Sequence, residues 1–158
     1  MGIHYSVHIP NTFISNHVCQ LLPEWVVPVL SVLIVLQQSP VQLSEKTPET
    51  EFHKQQLRNQ FVQLARKIVL DLQRMNYRAE IFDPRTGYPL LSQPGDLRLD
   101  DVAVIEASLG YHLQQTGGCR IVEHPTWGYA VFPSVLLSAA TPDITDAVVE
   151  SVLGSYTC

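Results

Sequence analysis

Basic runs are missing from this sequence. Arg66-Lys67 is its one adjacent basic pair, and 10 Lys and Arg face 15 Asp and Glu, for a formal net charge of −5. Nucleic-acid binding draws on a basic stripe, so that class of partner is excluded. Cysteine is scarce and odd in number: Cys19, Cys119 and Cys158. Three unpaired positions do not make the disulfide framework of a small secreted domain, and a reducing compartment is the simpler setting. No Cys-x-x-Cys, His-Glu-x-x-His or Gly-x-Gly-x-x-Gly occurs, which removes the usual signatures of structural zinc, zinc hydrolysis and dinucleotide binding. No apolar run approaches the roughly 20 residues that span a bilayer. The greasiest stretch, residues 25–36, is broken by Pro28, so no membrane segment is expected. Met1-Gly2-Ile3-His4-Tyr5 lacks a positive region ahead of an apolar one, so no secretory signal is expected and the cytoplasm is the expected location.

What is present is ordinary globular material, 46% hydrophobic and 16% charged, enough for one domain over residues 1–158. Residues 3–9 alternate apolar and polar, the pattern of a half-buried strand. A short helix over 13–22 and a buried strand over 29–37 follow. Thr47-Pro48-Glu49 opens a long amphipathic helix with Thr47 as cap. Leu57, Phe61, Leu64, Ala65, Ile68, Leu72 and Met75 form its apolar face, and it ends near Asn76. Residues 77–82 read as a strand, and Asp83-Pro84-Arg85-Thr86-Gly87 as a turn. Asp100 caps a helix stopped by Gly110. Residues 120–124 and 129–132 read as a hairpin about 125–128. Thr141-Pro142-Asp143 opens a last helix to about Leu153. The order implies an α+β fold with helices packed on a mainly antiparallel or mixed sheet. An exposed edge strand would leave a second copy, as a homodimer, or a partner strand open as occupants.

The candidate chemistry is sparse. His4 and His8 share one face of the first strand but stand about 13 Å apart, too far to hold one metal. Cys19 fits a core position in its apolar helix. Cys119 lies behind Gly117-Gly118 at a loop-to-strand junction, where a thiol is accessible and Arg120 beside it favours the thiolate. Cys119 and His124 are five apart, so on one strand they point to opposite faces and do not pair for thiol hydrolysis. His124 reads equally as a hydrogen-bonded structural histidine or as a site residue. Trp127-Gly128 shapes the turn with a partly buried indole. On spacing alone Cys119 stays open between a working thiol, including a redox switch, and a small apolar residue.

These residues have a familiar order. Asp83-Pro-x-x-Gly87, Leu109-Gly110-Tyr111, Gly117-Gly118-Cys119 and His124-x-x-Trp127-Gly128 resemble the C-terminal domain of the methylmalonic aciduria and homocystinuria type D family of cobalamin-trafficking proteins. The resemblance is good over residues 57–143. It implies a nitroreductase-like fold that has lost its flavin site, and an accessory protein, not an enzyme. It implies docking with a cobalamin-processing protein or methionine synthase. It places cobalamin near Gly117, Gly118, Cys119, His124 and Trp127, with a thiolate as cobalt ligand. A soft thiolate suits cobalt. The family's cobalt-linked thiol is the first of two adjacent cysteines. Gly118 stands there in this chain, and Cys119 matches the second, which strand alternation turns to the inward face. The long N-terminal region of animal members has no counterpart, so the chain resembles a compact, bacterial-type version without a mitochondrial role. A flavin-binding nitroreductase-like oxidoreductase is the alternative. It needs phosphate-binding arginines, for which Arg58, Arg66 and Arg120 are scattered candidates.

Overall fold

The computed structural model of the chain describes residues 2–116 and 119–154, with the backbone only at Thr116. The expected sites Gly117 and Gly118, and Cys158, lie outside the described residues. The chain runs through β1 (Ile3–His8), α1 (Thr12–Asn16), α2 (Val18–Leu21), β2 (Ser31–Gln38), α3 (Pro48–Arg74) and β3 (Ala79–Phe82). It continues through α4 (Asp101–Leu109), β4 (His112–Thr116), β5 (Cys119–Glu123), β6 (Val131–Ser138) and α5 (Pro142–Gly154). Four strands form a sheet in the order β1-β2-β6-β3, every neighbouring pair antiparallel. β4 and β5 form a separate two-stranded ribbon. The architecture is α+β, with an antiparallel sheet and packed helices.

β2 organises the core. Its side chains alternate between faces, and both are apolar. Val32, Ile34 and Leu36 join Trp25, Phe82, Ile105 and Leu137 on one side. Leu33 and Val35 join Phe61, Ile68, Leu72 and Val149 on the other. α3 and α5 therefore cover one face, and α1, α2, α4 and the β4–β5 ribbon the other. Among the described residues no helix is long and apolar enough to cross a membrane.

The caps behave as their chemistry requires. Thr47 Oγ1 accepts from Thr50 N–H (3.1 Å) and Thr50 Oγ1 from Thr47 N–H (2.9 Å), a reciprocal box that opens α3. Asp100 accepts from Ala103 N–H, and Gly110 ends α4 at φ 68°, a conformation that needs no Cβ.

Four expectations are corrected. The helix over 13–22 is two short ones, divided at His17, whose backbone leaves the helical region. Cys19, expected in the core, is exposed on the second. The strand expected over 77–82 begins only at Ala79, because Asn76 turns left-handed (φ 67°) and Tyr77 N–H still bonds back to Leu72 O. The hairpin over 120–132 does not exist as one unit. β5 pairs with β4, which carries a single large apolar residue, Leu113, and so gives no alternating signal; β6 leaves for the main sheet. β6 also runs through Pro133, although it is a central strand. Pro133 faces Leu36 on β2, but β3 pairs only as far as Val135, so no ladder partner is lost where proline has no N–H.

Candidate functional site

The β4–β5 ribbon and the turn after it carry the expected site residues. Cys119 stands opposite Thr116 at the first position of β5 and is exposed, not inward. Arg120, on the other side of the strand, is engaged by α4: its guanidinium donates to Asp100 Oδ2 (2.6 Å) and lies 4.0 Å from Glu106. These surface pairs pin the ribbon to the first turns of α4, and they commit the charge expected beside the thiol.

Five residues on, about 17 Å along an extended strand, the chain closes a tight turn. His124 N–H donates to Gly128 O (2.7 Å) and Gly128 N–H to His124 O (2.9 Å), with Gly128 at φ 60°. His124 Nδ1 sits inside the turn and accepts from the N–H groups of Thr126 and Trp127, each at 3.0 Å. Nδ1 is thus the acceptor and the ring proton belongs on Nε2. The imidazole is 3% exposed, and Nε2 has no hydrogen-bond partner among the described residues. Burial, then the charge of neighbouring His4, holds its pKa below the usual histidine value.

Among the described residues three rings stand against this imidazole. Trp127 stacks on it (centroids 4.2 Å, 13°), and Tyr111 meets it edge-on (5.6 Å, 83°). His4, from β1, stacks on Trp127 at 4.4 Å and lies 5.4 Å from His124. The structure therefore brings His124 and Trp127 together and leaves Cys119 at the far end of β5. Alternation along β1 showed His4 pointing away from the core, but its meeting with residues some 120 positions later left no mark in the sequence. In the sequence Tyr111 stands out only as the aromatic of Leu109-Gly110-Tyr111. Among the described residues no three His, Cys, Asp or Glu side chains group as a metal site.

A second hollow lies between α4, β5 and β6, walled by Tyr129, Phe132 and Pro133 beside Asp101 and Arg120. Asp101 is half-buried there, and burial, then the charge of Asp100, pushes its carboxyl up to about 7. The folded state binds this proton more tightly than the unfolded chain, so stability falls as pH rises from about 4 through 7. Asp101→Asn removes the penalty. It is expected to raise stability by about 1–2 kcal/mol at pH 8 and to leave it unchanged at pH 4, after discounting for solvent screening. Thermal melts at the two pH values check this.

The comparison that decides the family is a match to the family model "Methylmalonic aciduria and homocystinuria type D protein" over residues 3–151. The chain belongs to this family. Similar curated relatives of the family are each called "Cobalamin trafficking protein CblD". The human protein is 26% identical over 123 residues, 78% of this chain and 42% of its own length. The mouse protein is 25% identical over the same shares. The chicken protein is 24% identical over 114 residues, 72% of this chain and 38% of its own length. The chain thus spans about two fifths of the length of the curated relatives it matches.

Proposed function

We propose that this chain is a cobalamin-trafficking accessory protein that does no chemistry of its own. It docks with a cobalamin-processing protein or with methionine synthase in the cytoplasm, as a single domain of nitroreductase-like arrangement without flavin. The observation that carries the reading is family membership over residues 3–151. The exposed Cys119 on the ribbon supports it further. A thiol in that position meets a partner-held corrinoid without any rearrangement of the core, and as thiolate it is a soft donor for cobalt. Trp127 and His124 would lie against the same cofactor from the base of the ribbon.

The test is a pull-down from a native lysate with wild type and Cys119→Ser, read by mass spectrometry, alongside titration of the purified chains with aquacobalamin. Wild type is expected to capture a cobalamin-handling protein and to shift the corrinoid absorption to that of a cobalt–thiolate. Cys119→Ser is expected to keep the partner and lose the shift. An unchanged shift in the variant would show the thiol to be incidental. Absence of both partner and corrinoid with wild type would remove the trafficking reading.

A further inference from the structure

Among the described residues two buried side-chain polar atoms have no hydrogen-bond partner, Ser134 Oγ on β6 and His124 Nε2 in the turn after β5. A buried N–H without an acceptor is costly, and folded proteins rarely leave one. The turn fixes this one in place. Two backbone donors hold Nδ1 at 3.0 Å, so the ring cannot shift its proton to Nδ1 without breaking both bonds. Nε2 is accordingly a donor and is closed as a metal ligand in this tautomer. The surroundings specify what it would take. Trp127, Tyr111 and His4 supply aromatic faces and edges. Among the described residues none of the hydrogen-bond or ring contacts of this cluster is to a lysine or arginine, so none of these contacts balances an anion. A neutral acceptor on a flat group fits both conditions, and a carboxamide is such a group: its oxygen accepts and its plane stacks. His4 is the exposed ring of the four, on the edge strand β1.

We propose that His124 Nε2–H, walled by Trp127, Tyr111 and His4, is the fixed donor of a binding site for a neutral planar carboxamide. Resting on the trafficking reading above, the carboxamide is a side chain on the rim of the corrin ring. This site is separate from the thiol: Cys119 addresses the metal, His124 the periphery of the ligand.

The test is nitrogen-15 NMR of the histidine rings in the intact chain. The probes are cyanocobalamin, nicotinamide as a simple planar carboxamide, and benzoate as its anionic counterpart. The free chain is expected to show His124 as the Nε2–H tautomer. Cyanocobalamin and nicotinamide are expected to move the Nε2 resonance, and benzoate to leave it in place. His4→Ala, at an exposed position, is expected to weaken cyanocobalamin binding roughly 3- to 10-fold through loss of one ring contact. An Nδ1–H tautomer in the free chain, or an Nε2 resonance that stays put with both amide probes, overturns the proposal. A response to benzoate alone overturns it in favour of an anion site. A response to nicotinamide without one to cyanocobalamin overturns the corrin assignment. The thiolate spectrum reads independently. Its appearance in wild type with a silent His124 sinks this site and leaves the trafficking reading standing. A His124 response that persists in Cys119→Ser upholds the site without the thiol.

Discussion

Asp83→Ala is expected to destabilise the chain by about 3 kcal/mol at pH 7. Asp83 is buried at the end of β3, where its carboxylate receives both arms of the Arg58 guanidinium from α3, each at 2.8 Å. Arg85 N–H adds a third donor at 2.9 Å. Removing the acid leaves a cation against the helix with no counter-charge, and frees the turn that begins there. The loss belongs at the low end for buried pairs because the Arg58 side chain is 23% exposed and water reaches it. Arg58 holds the Asp83 carboxyl below the usual carboxylate range. The pair's stabilisation is therefore complete above about pH 4 and is lost as pH falls through the depressed folded value. Urea unfolding of wild type and variant at pH 7 and at progressively lower pH checks both parts. The gap should be widest at neutral pH and should narrow below pH 4. A constant gap across that range would mean that lost packing, not charge, is responsible.

Gly95→Ala is expected to cost a comparable amount, about 3 kcal/mol, at the upper end of ordinary overpacking. A Cβ at residue 95 would fall inside the carbonyl oxygen of Gln20, 2.6 Å from its carbon and 3.2 Å from Pro23 Cδ. These neighbours are backbone and a proline ring, which have no rotamer to give. The same Gln20 oxygen accepts from Leu97 N–H (3.1 Å), so displacing it also breaks the bond that ties the 93–99 segment to α2. The expected readout is a lower urea midpoint with an unchanged slope, since the same surface unfolds. A midpoint within error of wild type would show that the segment relaxes away from α2 at no cost.

The motif Asp83-Pro-x-x-Gly87 shows how much a sequence pattern holds. Its turn was readable, because proline and glycine restrict the backbone locally. Its ion pair with Arg58, 25 residues earlier on another element, was not. Glu80 makes the same point. In a short strand next to a turn it gave no signal, yet it is 1% exposed and accepts from Ile81 N–H, Leu91 N–H and Ser92 Oγ, fastening the 88–92 segment to the sheet edge. The pairing of the ribbon is hidden in the sequence for a related reason. Tyr129 onward reads as an apolar strand whether its partner is β5 or β2, and an apolar run does not name its partner.

By itself the sequence determined the local elements: α3 and its Thr47 cap, the Asp100–Gly110 bounds of α4, the doubly apolar β2, and the family motifs that led to the trafficking reading. Each follows from dihedral preference, capping or periodicity, which act within a few residues. Only the tertiary structure decided that Cys119 is exposed at one end of β5 and that His124 is buried at the other. Only it brought His4 and Tyr111 to the Trp127 stack and left Nε2 without a partner among the described residues. Ring contacts and orphaned donors arise between segments far apart in the chain, and no local energy term records which segments will meet.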